Sequence, residues 1–387
     1  MFVSKIKLKN WRNFRDAEVD LSSHTYILGA NASGKSNFLD AFRFLRDVSK
    51  AQGGGFEAAL QKRGGLSKLR CLHARKDPEV SIEVHFKHNL EDEHTSWKYA
   101  LAFKHEGTGA QRVIVTQERV WKGEGKKPIL NRPDTADKRD TILLTETHLE
   151  QKRANAEFRE IANFFSDSTY LHLVPQLLKF GKEIGGFQLE DDPFGQGFLE
   201  RIAKSQERTR NARLSKIQNI LGAAIPQFGE LKFEKDGITG QPHLSARHIH
   251  HRPNAGWQRE DQFSDGTLRL IGLLWSLIEN NSLLLLEEPE LSLNDEIVKR
   301  IPYLFHRMQR ETNKKRQIII STHSAALLEN KSIDPDGILL MEPGVDGTKI
   351  RHLTEDEKRA VDSGFSVGEI VLPKTGFQVG IQMGFKF

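Results

Sequence analysis

The sequence is poor in cysteine and contains no long apolar run. Cys71 is the single cysteine among 387 residues, which excludes an internal disulfide framework and is typical of a reducing cytoplasm. No stretch reaches the roughly 18 apolar residues that a membrane-spanning helix needs. The opening residues, MFVSKIKLKNWRNF, alternate basic and apolar side chains and lack the apolar core of a signal peptide. We therefore expect a cytoplasmic globular protein with no membrane partner.

An extreme charge is absent as well. The formal net charge is +5, with 28% charged and 37% hydrophobic residues, which are ordinary values for a globular chain. The length allows a large core and two lobes. This moderate positive charge permits contact with nucleic acid but does not require it, so charge alone assigns no partner.

A glycine-rich turn lies between a predicted strand at 26–28 and a predicted helix that begins at Asn37. The turn, GANASGKS at 29–36, matches G-x-x-x-x-G-K-[ST], in the strand–turn–helix context that a phosphate-binding P-loop requires. Gly29 and Gly34 allow the backbone to curl, so that successive N–H groups point at phosphate oxygens. The positive N-terminal end of the helix faces the same phosphates. The pattern predicts a site for a nucleoside triphosphate.

The side chains of this loop have separate predicted roles. Lys35 places an ammonium group on the β- and γ-phosphates, and the Ser36 hydroxyl can bind Mg²⁺. We therefore expect ATP and Mg²⁺ as cofactors. The predicted nucleotide contacts in this segment are Gly29, Asn31, Ser33, Gly34, Lys35, Ser36 and Asn37.

A second predicted core strand ends in adjacent carboxylates. In LLLLEEPELSLN, at 283–294, four leucines are followed directly by Glu287 and Glu288. In P-loop proteins, a carboxylate at the end of such a strand holds Mg²⁺. Glu287 is thus predicted to be the metal-side carboxylate, and Glu288 is free to polarise an attacking water as a general base. The alternative is a strand end whose two glutamates merely face solvent.

Four further motifs extend the pattern. They are NWRNF around Arg12, FSDGT at 263–267, ELSLN at 290–294 and IIISTHS at 318–324. Together with the P-loop and the paired glutamates, they resemble the ATP-binding-cassette (ABC) class of ATPases, and within it the SMC/RecF/OLD-like group. The resemblance covers 1–50 and 255–345. It implies that Arg12 contacts nucleotide and that His323 is the switch histidine near the γ-phosphate.

The resemblance also implies a dimer. In this class, each ATP lies between the P-loop of one subunit and the signature motif of another. The signature motif here is FSDGT, so Ser264 and the N–H groups around Gly266 would complete the phosphate cage of a second copy. ATP would join two copies and hydrolysis would release them. We therefore expect a homodimer through an ATP sandwich.

The chain departs from the family pattern at three points. Glu287 stands where many relatives have aspartate in the Walker B strand, so the metal geometry is expected to differ slightly. The D-loop (ELSLN) continues here with Asn294-Asp295, where relatives often have His-Pro. The Q-loop glutamine has two candidates, Gln52 and Gln61, and either is equally well a surface residue.

The long stretch between the P-loop and the signature motif holds an insertion. Alternating apolar residues predict antiparallel strands at 80–86, 97–103 and 113–115, with one solvated face. From about residue 147 the periodicity becomes helical, and 197–225 reads as one long helix. We predict an α/β fold, a P-loop NTPase of ABC type. It should have a mostly parallel core sheet, an antiparallel β lobe and a short helical insertion.

The predicted domains follow from this organisation. They are an N-terminal ATPase lobe at 1–145, a helical insertion or short stalk at 146–250, and a C-terminal ATPase lobe at 251–387. In the predicted long helix, Arg201, Lys204 and Arg208 share a face, and Arg210, Arg213 and Lys216 lie nearby. This basic stripe either follows a phosphate backbone or is simply solvated. In RHIHHR, at 247–252, a polar strand is favoured over a metal site, because zinc needs more ligands.

Three functions compete. The first is an ATP-driven dimerising switch that acts on DNA, or on a DNA-acting partner, in repair or anti-phage defence. OLD-type nucleases attach a Toprim catalytic domain, and the stretch after His323 is too short for one, so a separate nuclease or effector protein is expected. The second is the ATPase subunit of a membrane transporter, which the signature and the long insertion disfavour. The third is a ring-forming AAA+ remodeller, a class without signature motif or switch histidine.

Overall fold

The computed structural model describes residues 1–50, 52–74, 77–107, 112–185, 191–249, 256–313 and 315–375. The strands are β1 (Phe2–Trp11), β2 (Phe14–Asp20), β3 (His24–Gly29), β4 (Val80–Lys87), β5 (Trp97–His105), β6 (Val113–Lys122), β7 (Leu130–Arg132), β8 (Thr169–Leu171), β9 (Phe228–Lys235), β10 (Pro242–His248), β11 (Gln258–Arg259), β12 (Leu284–Glu287), β13 (Ile318–Thr322), β14 (Ile338–Gly344) and β15 (Gly347–Arg351). The helices are α1 (Lys35–Ser49), α2 (Phe56–Gln61), α3 (Leu66–Leu69), α4 (Thr135–Arg139), α5 (Arg159–Ser166), α6 (Pro175–Ile184), α7 (Phe198–Lys204), α8 (Glu207–Ala224), α9 (Asp265–Glu279), α10 (Asp295–Val298), α11 (Ile301–Thr312), α12 (Ala325–Leu328), α13 (Glu355–Asp362) and α14 (Val367–Thr375).

The core of the described chain is a six-stranded sheet in the order β15-β14-β3-β13-β12-β8. All neighbouring pairs are parallel except β14 with β15. Parallel strands are buried on both faces, and the leucine run divides accordingly. Leu283 and Leu285 join the cluster that contains α1, whereas Leu284 and Leu286 join the cluster that contains α9 and α11. The predicted mostly parallel core sheet is confirmed.

Helix α1 begins directly after the glycine-rich turn. Gly34 has φ +103°, a left-handed conformation that suits glycine, so the chain turns straight into the helix at Lys35 rather than at Asn37. Phe38, Leu39 and Leu45, which carry the helical periodicity, are fully buried on one face of the core sheet. This packing aims the N-terminal end of α1 at the loop.

The predicted antiparallel lobe is also confirmed. It is a sheet in the order β2-β1-β4-β5-β6-β7, and in β4 the buried residues alternate as Val80, Ile82, Val84 and Phe86. Its apolar face packs on α1 and α2 through aromatic rings. Phe103 stacks on Phe44 with ring centroids 5.5 Å apart and meets Phe56 edge-on at 5.2 Å.

The segment at 146–250 corrects the prediction of a helical insertion. It contains α5 to α8, but β8 belongs to the core sheet, and β9 and β10 form a second antiparallel sheet with β11. The predicted single helix at 197–225 is wrong. Ser205 and Gln206 are extended and separate α7 from α8, because α7 packs on β10 while α8 packs on β9 and α9. Within the described ranges, no helix has both the length and the apolar character needed to cross a bilayer.

Candidate nucleotide-binding site

Three neighbouring strands end at one edge of the core sheet and bring the predicted site residues together. β13 lies between β3 and β12, with Leu28 opposite Thr322 and Glu287 opposite Ser321. Because carboxyl ends of parallel strands meet at the same edge, the P-loop and the glutamates flank His323. The sequence motifs, far apart along the chain, therefore form one site.

The P-loop holds its lysine close to its own backbone. Lys35 Nζ donates to the carbonyl oxygens of Gly29 and Ala30, at 2.8 and 3.1 Å. Burial lowers the pKa of Lys35, although the charges of Glu288, Glu287 and Glu290 partly oppose that shift. This ammonium group is buried near three carboxylates, as a cation that binds a polyphosphate beside a metal would be.

Asn13 braces the loop from outside, and the sequence analysis did not identify this role. Its Nδ2 donates to the carbonyl of Ser33 at 3.0 Å and to Thr348 Oγ1 at 2.6 Å, and its Oδ1 accepts from Asn37 Nδ2 at 2.9 Å. Thr348 Oγ1 also donates to Ser33 O at 2.8 Å. Asn37, predicted to contact nucleotide, thus supports the P-loop through Asn13. Asn13 could have been recognised from its place next to Arg12 in the NWRNF motif. No predicted site residue lies near Thr348 in the sequence.

Arg12, also predicted to contact nucleotide, is bound to helix α1. Its Nε and Nη2 donate to Asp40 Oδ2 at 2.9 and 2.6 Å, and Arg63 donates to the same carboxylate. Burial would raise the pKa of Asp40, but Arg63 and Arg12 outweigh it and hold that pKa below its usual value. In this structure, the Arg12 guanidinium is therefore bound by a carboxylate of the protein itself.

Glu287 is held by two hydroxyl groups. Ser36 Oγ donates to its Oε1 and Tyr170 OH donates to its Oε2. Ser36 lies in the first turn of α1, and Tyr170 lies in β8, the strand next to β12. The two predicted metal residues, Ser36 and Glu287, therefore face each other directly. Sequence analysis placed β8 in a helical segment and thus missed Tyr170.

Glu288 turns away from the line of its strand. Its φ is +45°, unusual for a residue with a side chain, and its N–H donates to Ser321 O at 2.9 Å. Arg269 Nη2 donates to the Glu288 carbonyl at 2.9 Å. The carboxylate Oε1 lies 3.1 Å from His323 Nδ1, so the two predicted catalytic side chains are paired.

A third carboxylate, Glu290, was missed by the sequence analysis. It is 7% exposed, accepts from Thr322 Oγ1 at 2.5 Å, and lies 3.4 Å from the His323 N–H. Glu290 also acts electrostatically on Arg269: burial lowers the pKa of that guanidinium to about 10 against the opposing charges of Glu290 and Glu288. An arginine inside the apolar run of α9 was the available signal. Glu290 thus bonds to the end of β13, whereas Arg269 connects α9 to the backbone of Glu288.

The signature motif forms the start of α9. Ser264 is exposed and caps the helix, accepting from the Thr267 N–H at 3.1 Å. A Cβ on Gly266 would lie 3.1 Å from Leu293 and 3.2 Å from the Ser292 carbonyl, so the D-loop packs closely on this motif in the same chain. Helix α1 belongs to the cluster on one face of the core sheet and α9 to the cluster on the other face. The two helices therefore begin on opposite sides of the sheet.

The residues present fit a magnesium–nucleotide complex. Buried polar atoms without a partner in the described chain include Ser33 Oγ in the P-loop, Ser321 Oγ and Glu290 Oε2. No group of three or more candidate metal-ligating side chains occurs among the described residues. A hydroxyl and a carboxylate are nonetheless what Mg²⁺ usually receives from a protein when phosphates and waters supply the other ligands. Ser36 and Glu287 would hold it.

Other predicted features lie elsewhere. Gln61 pairs with Glu57 on the exposed side of α2 at 3.0 Å, and Gln52 is exposed. The predicted basic stripe is divided by the break before α8. Several of its members contact the protein itself: Arg201 with Asp192, Arg210 with Phe233, Arg213 with Glu279 and Trp275, and Lys216 with Glu311. Of the remaining members, Lys204 and Arg208 are exposed. His250 and His251, and the side chain of His248, lie outside the described residues.

Two family models match this chain. The family described as "AAA domain, putative AbiEii toxin, Type IV TA system" matches residues 25–329, and the P-loop containing region of AAA domain matches residues 3–46. The first match spans well over half of the chain. The chain belongs to this family. It is a P-loop ATPase domain of ABC type in the SMC/RecF/OLD-like group, as the motifs implied.

Curated relatives of this family member match over short segments. The DNA replication and repair protein RecF of Streptococcus agalactiae is 34% identical over 90 residues, which is 23% of this chain and 18% of that protein. Endonuclease GajA of Bacillus cereus is 35% identical over 72 residues, 19% of this chain and 12% of that protein. The matches thus span a quarter or less of these relatives.

Solved structures confirm the fold over nearly the whole chain. An SMC head bound to the C-winged helix domain of ScpA matches with a TM-score of 0.58 and 17% identity. The match covers 92% of this chain and 100% of that one. At this identity the likeness establishes the fold, that of an SMC head.

Proposed function

We propose that this protein binds and hydrolyses MgATP, and that ATP drives two copies together. The observation that supports it most is the convergence of Lys35, Ser36, Glu287, Glu288 and His323 at one edge of the core sheet. Burying charged groups is costly, and three carboxylates here surround one buried ammonium group. A strand end with only a structural role would not need this arrangement.

Binding would use the P-loop backbone and Lys35 on the β- and γ-phosphates. Ser36 and Glu287 would hold Mg²⁺, which when bound neutralises charge on the phosphates. The hydrogen bond between these two side chains already brings the Ser36 hydroxyl and the Glu287 carboxylate together. The loop braces at Asn13 and Thr348 would preserve this shape.

Hydrolysis would use Glu288 as the base for the attacking water. Its carboxylate would take the proton of that water at Oε1 or Oε2, and His323, 3.1 Å from Oε1, would hold the carboxylate in position. The left-handed backbone at Glu288, stabilised by Arg269, directs the side chain out of the strand and toward the histidine.

The dimer is proposed from the arrangement of the signature motif. Ser264 is exposed at the start of a 15-residue helix, where N–H groups and the helix dipole attract anions. A second copy would place these groups on the γ-phosphate. ATP would then stabilise the dimer, because only the dimer makes both sets of phosphate contacts.

We further propose that the switch acts on DNA or on a DNA-acting protein, in repair or in defence. This rests on the partial matches to a DNA replication and repair protein and to an endonuclease. A separate nuclease or effector would supply any cleavage. The cytoplasmic location, predicted from the single cysteine, remains a prediction. The transporter alternative is not favoured, because the matched family and relatives are of the other kind.

The oligomeric state of Glu288→Gln tests the dimer. We expect this variant to be monomeric without nucleotide and dimeric in MgATP, since it should bind but not hydrolyse. Size-exclusion chromatography with light scattering measures the mass. A Glu288→Gln, Ser264→Arg variant should stay monomeric in MgATP while still binding it. A monomer at saturating MgATP without the Ser264 change would contradict the proposal, and a hexamer would favour a ring remodeller.

A further inference from the structure

Tyr170 occupies a defined position beside the metal-side carboxylate. In the β8–β12 register Tyr170 is opposite Leu285, and both belong to the cluster on the α1 face of the core sheet. Glu287 is two residues beyond Leu285, so its side chain leaves the strand on the same face. The tyrosine is 7% exposed, and its hydroxyl reaches Glu287 Oε2.

Both oxygens of Glu287 are therefore assigned to different partners. Oε1 accepts from Ser36 and Oε2 accepts from Tyr170. A carboxylate with one oxygen fixed loses the freedom to rotate, and the other oxygen then points steadily at its partner. A charged acceptor makes such a bond stronger than a neutral one.

The tyrosine itself is held from α1. The Arg43 guanidinium lies 4.0 Å from the centre of the Tyr170 ring, a cation–π contact. Arg43 is two helical turns beyond Ser36, on the same side of α1. The helix that presents the Ser36 hydroxyl thus also fixes the ring that restrains Glu287.

This arrangement depends on the unusual length of residue 287. Aspartate, expected at this position from the family pattern, is shorter by one C–C bond of about 1.5 Å. It could not span from the strand to both hydroxyl groups. The glutamate and the tyrosine are thus matched to each other.

We propose that Tyr170 is a positioning residue for the metal site. Its hydroxyl holds one oxygen of Glu287 so that the other faces Ser36 and the Mg²⁺ of bound MgATP. The proposal rests on the proposed MgATP function of this edge. It concerns the response to Mg²⁺, which can be separated from nucleotide binding itself.

The test is the Mg²⁺ dependence of nucleotide binding by Tyr170→Phe in the full chain. The probe is a fluorescent derivative of a non-hydrolysable ATP analogue, titrated in EDTA and then at increasing Mg²⁺. In EDTA, we expect the variant to bind the analogue with unchanged affinity. The Mg²⁺ concentration that gives half of the increase in affinity should be about tenfold higher than for wild type, because one charge-assisted hydrogen bond is lost. Tyr26→Phe, a buried hydroxyl deletion on the other face of the sheet, is the matched control and should not change either value.

A double-mutant cycle with Glu287→Asp separates positioning from general packing. In the aspartate background, Tyr170→Phe should have almost no effect, because the shorter carboxylate does not reach the hydroxyl. An equal effect in both backgrounds would overturn the proposal, as would an unchanged Mg²⁺ response of Tyr170→Phe. If Tyr170→Phe does not fold, Arg43→Gln provides the test. We expect it to raise the half-maximal Mg²⁺ concentration about threefold, and an unchanged concentration would contradict the proposal. Wild type that fails to bind the probe at all would refute the proposed function instead.

Discussion

The two faces of the core sheet hold buried cations in different ways. On the α1 face, guanidinium groups meet carboxylates: Arg12 and Arg63 bind Asp40, and Arg63 and Arg46 also reach Asp47. On the α9 face, Arg269 donates to the Glu288 carbonyl, and its Nε has no partner in the described chain.

The two arrangements differ in what is lost when the arginine is removed. Removing one partner of a buried ion pair leaves an uncompensated charge and costs about 3–5 kcal/mol. Removing Arg269 leaves a neutral carbonyl acceptor and two nearby carboxylates, Glu288 and Glu290, to which it makes no direct side-chain hydrogen bond, so we expect a smaller cost of about 1–3 kcal/mol. The α1 face therefore holds its arginines in ion pairs with the helix that follows the P-loop, whereas Arg269 holds the backbone of Glu288 through a single hydrogen bond.

The largest expected effect concerns the P-loop on the α1 face. Lys35→Ala should weaken ATP binding by at least about a hundredfold, because charge-assisted contacts to two phosphates are lost. Isothermal titration measures it, and Lys68→Ala, an exposed lysine on α3, is the control. Retained ATP affinity would refute the P-loop assignment.

Glu288→Gln tests the point where the two faces meet. Nucleotide binding should persist, and kcat should fall by about 10²–10⁴, since the water loses its base. Steady-state ATPase assays measure the change. The control Glu296→Gln removes a charge from an exposed position on α10 and should leave turnover unchanged. Normal hydrolysis by Glu288→Gln would mean that the base lies elsewhere.

A matched pair of arginine variants tests the comparison directly. Arg63→Met should lower the free energy of unfolding by about 3 kcal/mol, because Asp40 and Asp47 each lose one of the arginines that bind them. Arg269→Met should cost about 1 kcal/mol, yet reduce kcat with little change in ATP affinity. Urea unfolding and ATPase assays give both quantities. Equal destabilisation by the two variants would remove the distinction between the faces.

Acid should weaken the α1 face selectively. The folded pKa of Asp40 is depressed, so its stabilisation is complete above the unfolded pKa of about 4 and is lost as the pH falls through the lower folded value. Wild type should exceed Asp40→Asn by about 1–3 kcal/mol at pH 6, and the gap should narrow at pH 3. Urea titrations at the two pH values measure it. A gap that is independent of pH would contradict the ion-pair account.

The smallest effect concerns the outer side of the α9 face. If DNA follows α7 and α8, reversing the charges of exposed Lys204 and Arg208 should weaken binding and reduce the salt slope by about 2. The control reverses Lys126 and Lys127, which are exposed between β6 and β7. Fluorescence anisotropy across several salt concentrations measures both. Unchanged binding would move any DNA contact away from these helices.

Local patterns predicted the chemistry better than the architecture between the motifs. The P-loop, the paired glutamates and the switch histidine each carry their signal in a few adjacent residues, and the structure brings them together. The segment at 146–250 was misread because helical periodicity around β8 concealed a three-residue strand. Such a short strand exists only through its pairing with β12, which no local pattern records.

The sequence by itself determined that a phosphate-binding loop and a pair of carboxylates would end two core strands, because glycine geometry and buried leucine runs are local properties. Only the tertiary structure decided which side chains support them. Asn13, Tyr170, Arg269 and Glu290 reach the site from separate elements, and their roles follow from strand order and register. A partner across a sheet is chosen by packing over the whole chain, so its identity cannot be read from either segment alone.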